Sequence, residues 1–205
     1  PHVYAAKHAV DEPQFFKSLL VALRSRLSLD PTHVFLTGMS NGGLLCYALA
    51  NQLGSLIHGI APVACATLDL QISCPTPMPV LHIHGTEDAY VPYQGGEGGK
   101  TARGTVFESA ERIVTAWAAH NGCSFPPQHE TLPPNVADGT YVQRTSFRGS
   151  PTGAVVTLYA VVGGGHTWPG YPTDYQFLGP VSENLDANEV IWDFFVNQID
   201  RRPPM

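Results

Sequence analysis

The chain has 205 residues, of which 43% are hydrophobic, and a formal net charge of −6. This length fits one domain over residues 1–205 with a core of its own, and no apolar run approaches the ~20 residues of a membrane-spanning helix. The 11 basic residues against 17 acidic ones argue against nucleic acid as a partner. We therefore expect a single domain that binds neither nucleic acid nor membranes.

The first part of the chain predicts a helix followed by a strand. Asp11 fits the N-cap of a helix with Pro13 in its first turn. Apolar residues at helical spacing predict one buried face, made of Phe16, Leu19, Leu20, Leu23 and Leu27. A β-branched and aromatic run from about His33 then predicts a strand that ends at Ser40, and the apolar run 44–49 predicts a further helix.

Strands and helices alternate along the rest of the chain. Strands are predicted over 59–63, 79–85, 140–148 and 154–162. A helix is predicted to carry Val106, Ala110, Ile113, Val114 and Trp117 on one face, and a last helix is capped by Asp186, with Ile191, Phe194 and Phe195 facing inward. This alternation predicts an α/β fold, in which a mostly parallel sheet has helices on both faces.

The segment 38–42 reads Gly-Met-Ser-Asn-Gly and fits the Gly-x-Ser-x-Gly pattern of a nucleophile elbow. It lies between a predicted strand and a predicted helix, which is the context that such an elbow needs. Gly38 and Gly42 are expected to be required because a Cβ at either position would collide with neighbouring backbone. We predict that Ser40 is a nucleophile and that the backbone N–H of Asn41 donates to an oxyanion. The alternative is an ordinary glycine-rich turn.

An acid and a base follow two of the later strands. Asp88 comes just after the strand 79–85, and His166 lies in a glycine-rich loop just after the strand 154–162. The order Ser–Asp–His is that of the α/β-hydrolases, in which the histidine activates the serine and the carboxylate orients the histidine. Glu87 is the alternative acid, whereas acids after His166 fit the order badly.

The sequence offers a weaker alternative for two other histidines. His82 and His84 share one face of a predicted strand and could form a pair of metal ligands, but no third ligand occurs at a matching spacing. We predict neither a metal nor an organic cofactor.

Aromatic residues near the predicted acid and base are candidates for substrate binding. Trp168 is expected at the mouth of a cleft, with Tyr90, Tyr93 and Tyr171 as weaker candidates, because flat apolar rings suit an acyl chain or a phenolic ring. Plain packing is the alternative for each of them.

Four cysteines allow three full pairings, among which the sequence cannot decide. Cys46 is expected to be a small buried residue on the helix after Ser40. Cys65 and Cys74, which flank a proline-rich loop, are the predicted disulfide.

Four segments together resemble one family: 38–43, 81–88, 91–93 and 163–170. They are similar to the polyhydroxybutyrate depolymerase-like esterases, α/β-hydrolases grouped with feruloyl and acetylxylan esterases, and the similarity extends from about residue 11 to residue 195. The resemblance implies Ser40 as the nucleophile, Asp88 as the orienting acid and His166 as the general base. It also implies a secreted or periplasmic protein and a polymeric or plant-derived ester substrate. Similar proteins often have a cysteine near residues 147–150 that could partner Cys123, and its absence here implies a free Cys123.

The chain departs from the family before its first helix. Family members have several strands there, one of which ends in a His-Gly turn that supplies a second oxyanion donor, and nothing in residues 1–11 resembles it. We expect the N-terminal strands of the fold to be missing from a fragment of a longer protein, or replaced by another chain in a homo-oligomer.

Two functions remain for the chain. The first is a serine carboxylic-ester hydrolase acting on polyhydroxyalkanoate-, feruloyl- or acetyl-type esters. The second is a non-catalytic or weakened hydrolase-fold protein that binds a polymer.

Overall fold

The computed structural model describes residues 10–100 and 104–199. The helices within this part of the chain are α1 (Glu12–Arg24), α2 (Asn41–Leu53), α3 (Ala110–His120) and α4 (Ala187–Ile199), and a short 3-10 turn covers Gln176–Leu178. The strands are β1 (Phe35–Met39), β2 (Gly59–Val63), β3 (Val80–Gly85), β4 (Gly96–Glu97), β5 (Val106–Phe107), β6 (Gln128–Thr131), β7 (Tyr141–Phe147) and β8 (Val156–Val162).

The central sheet has the strand order β1-β2-β3-β8-β7-β6, and β4 pairs with β5 in a separate ribbon. The pairs β1–β2, β2–β3 and β3–β8 are parallel. Strand β7 pairs with β8, and β6 with β7, in antiparallel fashion. The predicted mostly parallel sheet is therefore confirmed. Because β1, β2, β3 and β8 run in one direction, their carboxyl ends lie along the same edge of the sheet, and the segments that follow them are neighbours.

Helices cover both faces of the sheet, as predicted. Successive residues of a strand point to opposite faces, so His82 and His84 of β3 lie on the side of α2 and α3, and Leu81 and Ile83 lie on the side of α4. Every residue of β2 and β3 is buried, which is expected of parallel strands covered on both sides.

The predicted helix caps are confirmed at both ends of the chain. The Asp11 carboxylate accepts a hydrogen bond from the N–H of Gln14 at 2.9 Å. The Asp186 carboxylate accepts from the N–H groups of Asn188 and Glu189 at 2.9 and 3.1 Å. The apolar residues predicted to face inward from the last helix are buried, namely Ile191, Phe194 and Phe195.

The predicted buried face of the first helix is wrong in part. Leu20 is buried and Phe16 and Leu23 are half-buried, but Leu19 is 40% exposed and Leu27 is 55% exposed. The physical reason is that α1 packs against α2 over a narrow stripe and ends at Arg24, so that Leu27 lies beyond the helix.

The third predicted helix begins later than expected. Val106 is an exposed residue of β5, and α3 starts at Ala110 with Ser109 as its N-cap. Strand β6 was not predicted, because its four residues are polar and exposed and show no apolar alternation; it forms by pairing with β7.

The predicted disulfide between Cys65 and Cys74 is wrong: all four cysteines, each of them in the described part of the chain, are buried and unbonded. A Cβ added at Gly43 would lie 2.5 Å from the sulfur of Cys65, and one added at Gly54 would lie 2.5 Å from the sulfur of Cys74. These glycines lie at opposite ends of α2, so a helix length of about 16 Å separates the thiols.

The two other expectations for cysteines are confirmed. Cys46 on α2 is buried in the core, and Cys123 has no disulfide partner and donates to the carbonyl of Ala154 at 3.6 Å. Among the described helices, none combines the length and apolar character that a membrane crossing requires.

Candidate active site

Ser40 connects the end of β1 to the start of α2 in a backbone conformation that L-residues rarely adopt. Its φ of 56° and ψ of −118° are those of the first central residue of a type II′ turn, a position that favours glycine. The Ser40 N–H donates to the carbonyl of Val63 at 2.9 Å, and its carbonyl accepts from the N–H of Leu44 at 3.0 Å. The sheet and the helix therefore hold a half-buried serine at the carboxyl edge of the sheet, in the strained turn that the sequence predicts.

Of the two glycines expected to exclude a side chain, Gly38 does so as predicted and Gly42 does not. A Cβ at Gly38 would lie 2.6 Å from the carbonyl carbon of Gly42, and a Cβ at Gly43 would lie 2.5 Å from the Cys65 sulfur and 3.0 Å from the Gly38 oxygen. A Cβ at Gly42 would meet nothing within 4 Å. The expectation for Gly42 is therefore wrong: the backbone of Gly42 crowds Gly38, and the second position that excludes a side chain is Gly43.

Asp88 lies three residues beyond β3 and is held at both carboxylate oxygens. Oδ1 accepts hydrogen bonds from the N–H groups of Tyr90 and Val91, both at 2.8 Å. Oδ2 lies 2.7 Å from Nδ1 of His166 and 3.3 Å from Nε2 of His84. The carboxylate is buried, and each of its oxygens faces donors.

The loop that carries His166 is tied to the end of β3. The N–H groups of Thr86 and Glu87 donate to the carbonyls of Val161 and Gly164, both at 2.9 Å. A side chain at Gly85 would overlap with the carbonyl oxygens of this loop, so the two segments approach closely because that residue is glycine. This packing brings His166 to Asp88.

The surroundings of Asp88 favour its ionised form. Burial alone would raise the pKa of this carboxyl group, but hydrogen bonds from His166, His84 and the N–H of Val91 outweigh burial and lower the pKa below its usual range. A carboxylate bonded to Nδ1 of His166 leaves Nε2 as the nitrogen that can accept a proton. The pair is therefore arranged as a general base with an orienting acid.

The structure places Ser40 at the same edge of the sheet as this pair. Cys65, two residues after β2, connects the two. Its side chain packs against Gly43 at the start of α2, and burial, then Cys46 and then the charge of Asp88 raise the pKa of its thiol. Within residues 10–100 and 104–199, the Ser40 hydroxyl and Nε2 of His166 have no hydrogen-bond partner. Catalytic hydrogen bonds are often long before substrate binds, and they shorten in the complex.

The predicted oxyanion donor Asn41 and the predicted aromatic residues Tyr90 and Tyr93 lie at different positions relative to Ser40 and His166. Asn41 is exposed at the first position of α2, with its N–H at the positive end of the helix. The Tyr90 ring lies 5.1 Å from the His166 ring, between their centroids, and is thus beside the site. Tyr93 is buried, with its ring edge against His84 and its hydroxyl donating to Glu111 at 3.2 Å.

The other two aromatic candidates contact side chains at the start of α4. The Trp168 indole N–H donates to the side chain of Asn188 at 3.0 Å, and its ring packs against the core under α4. Tyr171 is exposed, with its hydroxyl 3.4 Å from the carboxylate of Asp186. The contacts of Trp168 are those of the packing alternative.

Phe177 lies beside the site and was missed by the sequence analysis. Its ring is 59% exposed and lies 6.5 Å from the Tyr90 ring, and the neighbouring carbonyl of Leu178 accepts a hydrogen bond from the N–H of His166 at 2.7 Å. Lys100 donates to the carbonyl of Phe177 at 3.4 Å and lies over the Tyr90 ring. No sequence motif marks Phe177, because it lies in a three-residue 3-10 turn that reaches the site only through the fold.

The alternatives left open by the sequence have clear positions in the structure. Glu87 is exposed and lies outside the pair formed by Asp88 and His166. Each ring nitrogen of His82 and His84 has a hydrogen-bond partner within the protein. The described residues contain no group of three or more potential metal ligands.

A mostly parallel sheet covered on both faces, with a serine in a strained turn between strand and helix, defines the α/β-hydrolase class of fold. No family model matches the chain. The chain is 27% identical over 195 residues to NocK of Nocardia uniformis subsp. tsuyamanensis, a protein named as an esterase, and the match covers 89% of this chain and 56% of that protein. It is 28% identical over 166 residues to feruloyl esterase B of Piromyces equi, over 76% of this chain and 29% of that protein.

A third relative is the bifunctional acetylxylan esterase/xylanase XynS20E of Neocallimastix patriciarum, 28% identical over 87 residues, which are 42% of this chain and 13% of that protein. The matched segments thus span less than two thirds of the length of each of these relatives. The relatives confirm the predicted resemblance to esterases, including the feruloyl and acetylxylan group; the polyhydroxybutyrate depolymerase part of the resemblance stays a prediction.

Proposed function

We propose that this chain carries the catalytic site of a serine carboxylic-ester hydrolase, in which Ser40 is the nucleophile, His166 the general base and Asp88 the orienting acid. The observation that carries the proposal is the buried contact of 2.7 Å between Asp88 Oδ2 and His166 Nδ1, at the same sheet edge as the strained Ser40. The similarity to proteins named as esterases supports the same reaction class.

The first half of the proposed reaction forms an acyl-enzyme. Nε2 of His166 takes the hydroxyl proton of Ser40 while Oγ attacks the ester carbonyl carbon. The oxyanion accepts a hydrogen bond from the N–H of Asn41 at the start of α2, and Asp88 stabilises the imidazolium. His166 then gives the proton to the departing alcohol.

The second half releases the acid. Water donates a proton to Nε2 of His166 and attacks the acyl carbon, and the same proton returns to Ser40 Oγ as the acid leaves. The protein supplies one identified oxyanion donor, and losing one donor of a pair typically costs about 10²–10³ in turnover. A second donor from a neighbouring segment or chain is therefore part of the proposal.

The aromatic residues beside His166 favour an ester with a flat ring. Tyr90 and the exposed Phe177 form an aromatic surface next to the catalytic histidine, with Lys100 over the Tyr90 ring, and aromatic surfaces suit a phenolic acyl group. The names of the feruloyl esterase relatives point the same way. We place feruloyl-type esters first, with acetyl- and polyhydroxyalkanoate-type esters as further candidates for the substrate.

Two features of the whole protein belong to the same proposal. We place it outside the cytoplasm, secreted or in the periplasm, on the resemblance to esterases of plant-derived esters. Among the described strands, β1 lies at the sheet edge and pairs only with β2, and a second copy of the chain could complete that edge. Light scattering during size-exclusion chromatography tests the second point, since a monomer at all concentrations would contradict it.

Hydrolysis of p-nitrophenyl acetate and p-nitrophenyl butyrate tests the proposed activity. We expect turnover by the unmodified chain, its loss in Ser40→Ala and in His166→Ala, and no change in Ser55→Ala, a control at an exposed serine after α2. Activity that persists in Ser40→Ala would contradict the proposal. Absence of hydrolysis together with co-sedimentation with a polymeric ester would favour the alternative, a hydrolase-fold protein that only binds a polymer.

A further inference from the structure

Behind the candidate site, a chain of buried hydrogen bonds extends from α2 through β3 to Asp88. The Tyr47 hydroxyl lies 2.7 Å from His82 Nδ1, and His82 Nε2 lies 3.1 Å from His84 Nδ1. His84 Nε2 lies 2.8 Å from the carbonyl of Val91 and 3.3 Å from Asp88 Oδ2. All of these side chains are buried, with exposures of 1% for Tyr47, 0% for His82 and 1% for His84.

The chemistry of the last link fixes the direction of the whole chain. A carbonyl oxygen only accepts hydrogen bonds, so His84 Nε2 must carry a proton and donate to Val91. A neutral His84 then presents a lone pair at Nδ1, which requires a proton on His82 Nε2. His82 Nδ1 is in turn an acceptor, and the Tyr47 hydroxyl donates to it. Every donor therefore points toward Asp88.

The reverse direction is disfavoured by the groups at the Asp88 end. Without a proton, His84 Nε2 would face the lone pairs of the Val91 carbonyl and of the Asp88 carboxylate at hydrogen-bonding distance. Burial, followed by the neighbouring His84, lowers the pKa of His82 well below its usual range, which is consistent with a neutral ring in the chain.

The other titratable groups around the chain are few. Cys46 on α2 and Cys65 after β2 lie beside Tyr47, and burial raises the pKa of both thiols, so that they stay uncharged. The Tyr93 ring lies 5.8 Å from the His84 ring, and its hydroxyl donates to Glu111. Asp88 is thus the charged group that the chain meets directly, and its other partner at Oδ2 is His166.

We infer that Tyr47, His82 and His84 form a hydrogen-bond chain of fixed direction that holds Asp88 Oδ2, and that His84 is a positioning residue for the proposed catalytic pair. This inference rests on the proposed function for its kinetic consequence, whereas the direction of the chain is a property of the folded protein alone. Hydrogen bonds in such a chain polarise one another, so the far end at Tyr47 contributes to the strength of the contact with Asp88.

Nuclear magnetic resonance of the full chain, with ¹⁵N-labelled histidine, tests the direction without any substrate. Two-bond ¹H–¹⁵N correlations distinguish the two neutral tautomers and the cation of each ring. We expect His82 and His84 both to be neutral with the proton on Nε2 at about pH 8, where an ordinary histidine is neutral. A proton on Nδ1 of either ring, or a cationic His84, would overturn the inference.

Kinetics on p-nitrophenyl butyrate test the positioning role. His84→Phe should lower kcat by about 10- to 100-fold, the range for losing one hydrogen bond to a charged group, with KM unchanged. His84→Gln keeps a donor that can reach Val91 and Asp88 and should recover part of the loss. A folded His84→Phe variant with the kcat of the unmodified chain would overturn the positioning role.

A second pair of variants decides the matter if His84→Phe does not fold. Tyr47→Phe removes the first donor and should lower kcat by about 2- to 10-fold, as expected for one neutral hydrogen bond in a chain. Tyr159→Phe is the matched control: it is the same substitution, and it removes a tyrosine hydroxyl from β8 on the opposite face of the sheet. Equal kcat in both variants would contradict the inference. An unmodified protein without esterase activity would contradict the proposed function. The direction of the hydrogen bonds would then be tested by the tautomer measurement alone.

Discussion

His166 Nδ1 lies 2.7 Å from Asp88 Oδ2, although 78 residues separate the two in the sequence. The contact is buried and lies where the loops after β3 and β8 meet, so it depends on the parallel pairing of these two strands. In the proposed reaction it keeps the imidazole in the tautomer whose Nε2 can take the proton of Ser40.

Asp88→Asn tests the part that this contact plays. An amide can hold the ring in place but not the imidazolium charge, and it can fix the wrong tautomer, so we expect kcat to fall by about 10³–10⁴ while KM changes little. Steady-state kinetics on p-nitrophenyl butyrate measure both constants. Glu87→Gln, a change at the exposed neighbouring acid, should leave kcat unchanged. A comparable loss in Glu87→Gln would show that the acid has been assigned to the wrong residue.

The two adjacent glycines of the elbow should respond in opposite ways to alanine. Gly43→Ala places a Cβ 2.5 Å from the Cys65 sulfur and 3.0 Å from the Gly38 carbonyl oxygen, so the free energy of unfolding should fall by about 1–3 kcal/mol. Gly42→Ala meets nothing within 4 Å and replaces a glycine in α2, so it should raise stability by up to about 1 kcal/mol. Urea denaturation of both variants measures the difference, and equal effects would contradict the packing described for the turn.

The buried His82 should make stability depend on pH. Burial, followed by the neighbouring His84, lowers its pKa. Below the ordinary histidine pKa, the unfolded chain therefore binds a proton at this residue that the folded chain does not bind. The stabilising effect is fully present above the ordinary histidine pKa of about 6.5 and is lost as the pH falls below it, by up to about 1.4 kcal/mol per pH unit. We expect a shallower loss in His82→Phe when urea denaturation is compared at about pH 7 and pH 5. Identical slopes in the two proteins would contradict a neutral buried His82.

Phe177 should determine preference among esters rather than turnover in general. Phe177→Ala removes an exposed ring beside Tyr90. We expect KM for methyl ferulate to rise by about 2- to 10-fold, which corresponds to the loss of one aromatic contact. KM for p-nitrophenyl acetate should not change. Trp192→Ala, which removes a 69% exposed ring from α4, is the control and should change neither constant. A parallel rise for both esters in Phe177→Ala would argue against an aromatic subsite.

Local sequence was sufficient for the parts of the site that lie at strand ends. Ser40, Asp88 and His166 each follow a predicted strand, and because parallel strands end at one edge of a sheet, their order along the chain predicts that they are neighbours. The pairing of Asp88 with His166 is what the structure adds, and their catalytic roles with Ser40 stay a proposal.

The features that the sequence did not predict depend on tertiary distances. Cys65 and Cys74 are close in sequence but pack at opposite ends of α2. The local sequence around the two cysteines does not show that they contact opposite ends of another element. The exposure of Leu19 follows from how narrowly α1 packs on α2, which helical spacing alone does not determine. The chain from Tyr47 to Asp88 joins a helix, a strand and a loop, and only their packing reveals it.

Covalent labelling of Ser40 tests the central claim most directly. A fluorophosphonate reacts with a serine hydroxyl that an adjacent base activates, so incubation of the full chain followed by peptide mass spectrometry should find one adduct, on the peptide that contains Ser40. The same treatment of His166→Ala should give little adduct, because the base is absent while the serine remains. Labelling of Ser40 that requires His166 is the result that the proposed site predicts; an unmodified Ser40 in a chain that still hydrolyses p-nitrophenyl butyrate would contradict it.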